Sequence, residues 1–358
     1  MEHRKVKDQE DIELQAPLSG SAPPPAGTNS SKKITWKLKT FVICALTVLT
    51  SSQAILIYWS KLPAGGSINP THDEKHAKYK YSVTTSNFLV EALKCAMSVA
   101  ALSRIWNTEG VSDDNKLSTT FDEVKLYPIP ALLYMAKNLL QYYIFYHVEA
   151  PGYQILKNLN IISTGILYRI ILKRKLSNIQ WAAFLLLFLG CTNAQIQTNP
   201  SSEEEKSNIY GWAYAIIMAL LSGLAGVYTE AIMKKRLSRN INVQNFWLYV
   251  FGMAFNFIWI LIHDLDEILE RGFFHGYSLI TVVMIMNQAF SGLAVSAVIK
   301  FGDNIVKVYS TSVAMFLTAF VSVYMFGFTL TPTFYIGTMV VSIAIYLHYA
   351  GKPQQPQK

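Results

Sequence analysis

Long apolar runs recur along the chain from about residue 38 to about residue 349, separated by short polar stretches. Ten of them are long enough to cross ~30 Å of hydrocarbon as helices. They run approximately 38–59, 82–106, 124–146, 150–172, 178–197, 209–233, 243–263, 278–300, 304–327 and 332–349. Several carry polar residues and are weak taken singly. The series carries the reading, because no soluble fold joins so many such runs through loops so short. The pattern predicts an all-α membrane protein with ten transmembrane helices. Residues 1–36 are polar, contain Pro23-Pro24-Pro25 and read as a disordered tail. The first apolar run begins too late for a cleavable signal peptide. Lys352 to Lys358 reads as a second tail. The expected organisation is a tail at 1–36, five-helix halves at 37–197 and 198–349, and a tail at 350–358.

Five spans per half is an odd number, so the halves point in opposite directions, the condition for an inverted repeat. Leu176-Ser177 followed by Gln180-Trp181 and Ala183 parallels Leu330-Thr331 followed by Phe334-Tyr335 and Gly337. Basic residues set topology. Placing both termini in the cytosol gives its loops Lys116, Lys173-Arg174-Lys175, Lys234-Lys235-Arg236, Arg239 and Lys300. The opposite side then receives Ser201 to Glu205 and an acidic loop from Asp264 to Glu270, although Lys75, Lys78 and Lys80 run against the trend. Asn69-Pro70 and Asn199-Pro200 offer no glycosylation acceptor.

Composition agrees. Hydrophobic residues make up 51% of the 358 positions and charged residues only 15%, against about 25% charged in ordinary soluble domains. Mean hydropathy is +0.25. These values exclude a disordered chain, a collagen and a disulfide scaffold. A net charge of +8 would suggest nucleic acid in a soluble protein. Here it reflects basic cytosolic loops, and no nucleic-acid partner is expected. Cys44, Cys95 and Cys191 lie in apolar stretches without metal-ligand spacing and read as buried small apolar residues. No HExxH, Cys–His pair or Walker loop occurs, and His263-Asp264 has no nucleophile nearby. Neither an enzyme nor a metal or other cofactor is expected.

Ionisable residues at bilayer depth are costly unless they face a partner or a cavity. Glu91 and Lys94 share a face of span 2; Lys137 sits beside Asn138 in span 3; Lys157 lies in span 4, Glu230 in span 6 and Lys307 in span 9, four residues after Asp303. Four lysines against two carboxylates leave a positive interior that suits an anion. Glu91–Lys94 is also readable as a structural ion pair, and Lys157 and Lys307 as snorkelling side chains. Tyr134, Tyr153, Asn158, Asn245 and Tyr249 lie at similar depths and suit a base or a sugar. Ser222-Gly223, Gly226 and Gly292 permit close helix approach.

Gln288-Ala289-Phe290-Ser291-Gly292-Leu293, continuing through Val298-Ile299-Lys300 to Asp303-Asn304-Ile305-Val306-Lys307, resembles the nucleotide-sugar transporters of the drug/metabolite transporter superfamily. So do Glu91 to Lys94, Ala150 to Gln154, Leu176 to Trp181 and Gly226 to Glu230. The resemblance spans about 38–349 and is greatest to the plant branch similar to CMP-sialic acid transporters. It implies a ten-span inverted-repeat fold in Golgi membranes. It also implies exchange of a cytosolic nucleotide sugar for a lumenal nucleoside monophosphate, with a homodimer left open. It assigns Lys94 to the sugar end, Tyr134, Asn138 and Tyr153 to the nucleotide, and Ser222, Asn245, Tyr249, Ser296 and Lys307 to the second half of the site, with Lys307 at the phosphate. Two positions depart from many animal members: Asn160 stands where they have a Lys, and Lys137 where they have a Gln. Lys137 or Lys157 is expected to supply the missing charge. The expected cargo is CMP-sialic acid or a similar CMP-linked acidic sugar exchanged for CMP. The alternatives are UDP-galactose with UMP, another metabolite exported by a superfamily member, and a scaffold that transports nothing.

Overall fold

The computed structural model describes residues 29–62, 79–171, 176–194, 202–236, 238–301 and 304–351. Lys75, Lys78, the run Lys173 to Lys175, Asp303, the Asn69-Pro70 and Asn199-Pro200 pairs, and the chain before Asn29 and after Gly351 lie outside them. All regular structure among the described residues is helical. In order, α1 is Asn29–Lys61, α2 Val83–Glu109, α3 Phe121–Val124, α4 Pro128–His147, α5 Ala150–Lys157, α6 Asn160–Ile171 and α7 Asn178–Ala194. Next come α8 Ser202–Lys235, α9 Ile241–His263, α10 Leu265–Arg271, α11 Leu279–Phe301, α12 Asn304–Phe326 and α13 Pro332–Ala350. Contacts divide the chain into two units, Met1–Thr40 and Phe41–Lys358. The second unit holds α1 from Phe41 onward and every later helix.

Local chemistry sets the ends. Ser82 caps α2 by accepting from the Thr85 N–H at 3.2 Å, Asn240 caps α9 and Thr331 caps α13. Pro128, Pro151 and Pro332 stand in first turns, where no backbone donor is needed. Gly110 ends α2 at φ 80°, a conformation that side chains disfavour.

Among the described residues, five helical stretches are long and apolar enough to cross a membrane: Thr40–Lys61, Ile209–Lys235, Ile241–His263, Leu279–Lys300 and Pro332–Ala350. Asn178–Ala194 and Val313–Phe326 are shorter apolar helices. Their outward faces are apolar: Phe316, Phe320 and Tyr324 form one exposed ridge on α12, and Ile336, Met339 and Ile343 another on α13. Hydrocarbon is the solvent that suits such a surface.

Helix pairing fixes the interior. α7 packs on α13, α2 on α9, α5 on α12, α4 on α8 and α9, α6 on α8, and α11 on α2. α1 is tied to α11 by Ser52 Oγ donating to Asn287 Oδ1 at 2.9 Å, and to α12 by Thr47 Oγ1 donating to Ser310 O at 3.1 Å. Close approaches use glycine. A β-carbon on Gly223 would stand 2.6 Å from Ser163 Oγ, and Gly337 admits Ala194 in the same way.

Three local expectations are corrected. The fourth run is broken at Asn158–Leu159, where the Asn158, Leu159 and Ile161 N–H groups bond three residues back at 2.8–3.0 Å. Asn158 Nδ2 also donates to Gln154 O at 3.1 Å and competes with the helical ladder. The acidic stretch after Asp264 is helix α10 rather than a loop. Asp266 and Glu267 occupy its first turn and Arg271 its last, which suits the helix dipole, and Gly272 ends it at φ 89°. Only Cys191 of the three cysteines is buried; Cys95 is half-buried and Cys44 is exposed on the apolar outer surface of α1.

Candidate functional site

Side chains from nine of the described helices line a cavity of about 110 Å³. α1 contributes Thr50 and Gln53; α2 contributes Lys94; α4 contributes Tyr134, Lys137 and Asn138. Lys157 and Asn160 enter from either side of the α5–α6 break. Ser222 and Thr229 come from α8, Gln288, Ser291, Gly292 and Ser296 from α11, and Lys307 from α12. Four lysines and no carboxylate stand among these wall residues.

The lysines are held differently. Lys94 Nζ bonds Glu91 Oε1 at 2.6 Å and lies 4.4 Å from the centre of the Tyr249 ring. The pair is wedged between two glycines: a β-carbon on Gly252 would be 2.9 Å from Glu91 Oε2, and one on Gly292 would be 2.8 Å from Lys94 Cδ. Lys137 Nζ reaches Asn138 Oδ1 at 3.3 Å. Lys157 lies 5.8 Å from the Tyr153 ring centre. Lys137, Lys157 and Lys307 make no ion pair among the described residues, although Lys307 is 7% exposed. Glu230 is not on the wall; it pairs with Lys234 at 2.8 Å.

Asn160 Oδ1 accepts from Ser163 Oγ at 3.3 Å and Thr164 Oγ1 at 3.2 Å, so the amide is oriented by its own helix. Ser296 Oγ and Tyr249 Oη are 3.2 Å apart. Of the residues expected to meet ligand, Lys94, Tyr134, Lys137, Asn138, Lys157, Asn160, Ser222, Ser296 and Lys307 line the cavity. Tyr153, Asn245 and Tyr249 do not. Tyr153 is buried against Phe145, its hydroxyl donating to Gln141 Oε1 at 2.9 Å. Asn245 is buried with an unpartnered carbonyl oxygen. Tyr249 borders a void of about 20 Å³ beside Glu91 and Asn256. Sequence reasoning assigns none of Thr50, Gln53, Thr229, Gln288 and Ser291 to the site: Thr229, Gln288 and Ser291 stand out only as members of the resembling runs, and a lone neutral polar residue in an apolar run gives no signal comparable to a buried charge.

Beyond one end of the cavity lies a tyrosine cluster. Tyr79 packs edge-on against Tyr81, Tyr142 and Tyr146, and Tyr81 Oη bonds Ser60 Oγ at 2.9 Å. Beyond the other end, Glu123 forms an ion pair with Arg236 and accepts from Arg239 at 3.0 Å, while Lys300 donates to the Arg239 carbonyl. Between α2 and α3, the hydrogen bond from Lys116 holds the exposed Asp113 carboxyl below its ordinary range.

A helical membrane protein with a lysine-lined interior is the class these features define. The family model described as Nucleotide-sugar transporter matches residues 34–349, and the chain belongs to that family. It is 61% identical to CMP-sialic acid transporter 4 of Arabidopsis thaliana, over 98% of this chain and 99% of that protein. It is also 61% identical to CMP-sialic acid transporter 2 of Oryza sativa subsp. japonica, over the full length of both. The UDP-galactose translocator of Mus musculus is 30% identical over 92% of this chain and 82% of its own. A crystal structure with 10% identity covers 88% of this chain and 99% of its own at a TM-score of 0.55, a likeness of fold alone. The chain is thus a transporter rather than an enzyme.

Proposed function

We propose that the protein is a Golgi antiporter that exchanges a cytosolic CMP-linked acidic sugar, such as CMP-sialic acid, for lumenal CMP, with both termini in the cytosol. The observation that carries this reading is a cavity wall with four lysines and, among the described residues, no carboxylate. Such a wall favours a cargo with at least two negative charges in both directions of exchange. Lys307 takes the phosphate and Lys94 the sugar end. Lys137 or Lys157 supplies the charge that Asn160 lacks. Tyr134, Asn138, Ser222 and Ser296 meet the nucleotide, with Tyr153, Asn245 and Tyr249 behind them.

Ten spans in two inverted halves, 37–197 and 198–349, form the frame, with α5 and α6 together as the fourth span. Helix pairing supports this count. α2 with α9, α5 with α12, and α7 with α13 each join a span to the one five further on. The pairs α4–α9 and α2–α11 are exchanged by the same step. So are α4–α8 and the Ser52–Asn287 contact of α1 with α11. The cavity, at about 110 Å³, is smaller than the roughly 300–1,000 Å³ of ordinary ligand pockets. Cargo therefore enters when one half rocks against the other.

Purified protein in liposomes preloaded with CMP, UMP, GMP or nothing tests the reading through uptake of labelled CMP-sugar. Uptake stimulated by internal CMP is expected. Equal uptake into empty vesicles would remove the exchange claim. Preference for UMP would favour UDP-galactose, which the similarity to the mouse translocator keeps as the second reading.

A further inference from the structure

The cavity wall beside Lys94 carries amides with unused hydrogen-bonding positions. Gln288 is 7% exposed and lines the cavity from α11. One of its N–H groups donates to Tyr142 Oη at 2.8 Å, and no other hydrogen bond reaches its amide among the described residues. Gln53 lines the cavity from α1, and its amide has a single long tie, Nε2 to Gln141 Oε1 at 3.5 Å. A primary amide has two donors and two acceptor positions, so most of those on Gln53 and Gln288 stay open to whatever fills the cavity.

Two neighbouring glutamines lie off that wall, although Gln154 Oε1 is also unpartnered. Gln141 accepts the Tyr153 hydroxyl at 2.9 Å, and Gln154 donates to Thr50 O at 2.9 Å. Both are buried off the cavity wall and hold helices together. Gln288 stands one turn from Gly292, the residue against which Lys94 lies. Its open amide and the Lys94 ammonium thus share one stretch of wall. Ammonium groups suit phosphate and carboxylate, whereas neutral amides, which both donate and accept, match neutral hydroxyls.

Building on the nucleotide-sugar reading above, we propose that Gln53 and Gln288 are specificity-determining residues that hydrogen-bond the hydroxyl groups of the sugar, next to Lys94. The preferred cargo is a polyhydroxylated acidic sugar, and a nucleoside monophosphate makes no use of this subsite.

The test uses full-length protein in liposomes preloaded with CMP, with uptake of labelled CMP competed by unlabelled CMP or by CMP-sialic acid. Gln288→Leu and Gln53→Leu are each expected to raise the half-competing concentration of the CMP-sugar about tenfold more than that of CMP, the loss of one neutral hydrogen bond. Tyr142→Phe removes the tie to Gln288 without touching the open amide positions, and it should leave the ratio of the two concentrations as in wild type. Labelled CMP uptake shows that each variant folds, and the Gln53 variant carries the test if the other does not. Equal shifts for both competitors, no shift for either, or a Tyr142→Phe ratio matching that of Gln288→Leu would overturn the assignment. Wild-type protein that exchanges neither CMP nor UMP overturns the underlying reading and this assignment with it, a result separable from all the others.

Discussion

The side chain of Lys94 runs so close to Gly292 that a β-carbon there would stand 2.8 Å from the lysine Cδ. The two come from different helices, α2 and α11, and the glycine sets where the ammonium projects. Gly292→Ala should displace a flexible side chain rather than backbone. Alanine also gains about 0.5–1 kcal/mol in a helix interior. The variant is therefore expected to melt no lower than wild type but to take up CMP-sugar roughly tenfold or more slowly at low concentration, because small misplacements of a binding group are costly. Thermal melting in detergent and initial uptake rates read the two effects. Uptake at the wild-type level would show that Lys94 tolerates the shift.

Glu91 and Lys94 are legible in the sequence because charge at bilayer depth is rare and their spacing puts both on one helical face. The same logic finds Lys137, Lys157 and Lys307, and all four lysines reach one wall. It gives no hint that α5 and α6 are separate, since the break depends on Asn158 bonding its own backbone. Tyr153 stands out for its motif, yet its ring fills the space against Phe145. Periodicity cannot tell a cavity-facing tyrosine from a packed one. Gln53 gives no signal, and Gln288 gives one only as part of the resembling run, for the converse reason: what they face depends on a neighbouring helix, which no single span encodes.

The Glu91–Lys94 pair is expected to behave as a unit. With side-chain exposures of 8% and 10%, neither group is well hydrated alone. Lys94→Ala strands a carboxylate against Gly252, and loss of one partner from a buried pair costs about 3–5 kcal/mol. Glu91→Ala strands the ammonium. The double change to alanine should melt higher than either single variant. If all three melt together, the pair contributes nothing to folding.

Glu123 links the segment between α2 and α4 to the turn between α8 and α9 through two arginines of unequal burial. The Arg239 side chain is 10% exposed and that of Arg236 is 55%. Solvent screens the second pair, so its coupling should fall near the roughly 0–1 kcal/mol of surface bridges. The Glu123–Arg239 coupling should reach about 1.5–3 kcal/mol, the range for hydrogen bonds to charged groups. Double-mutant cycles with Glu123→Gln, Arg236→Gln and Arg239→Gln, read by melting in detergent, separate the two. A larger coupling for Arg236 would contradict the burial argument.

Lys307 is 7% exposed, lines the cavity from the first turn of α12 and has no ion pair among the described residues. Glu230 acts on this ammonium only at longer range, so its burial is costly unless an anion arrives to share its site. As a compact point charge, it suits a phosphate that must bind and leave at every cycle. Lys307→Ala should therefore weaken CMP and the CMP-sugar alike, by roughly 30-fold or more, since losing one partner of a desolvated charge pair costs about 2–5 kcal/mol. Cytidine lacks the phosphate and should lose much less. Calorimetric titration of CMP and cytidine on wild type and variant reads the difference directly. Removing this weakly compensated charge should also leave the ligand-free protein at least as thermostable as wild type, whereas a structural lysine would lower its melting temperature. Equal losses for the two ligands, with a lower melting temperature, would make Lys307 structural and pass the phosphate to Lys137 or Lys157, the other two wall lysines without an ion pair.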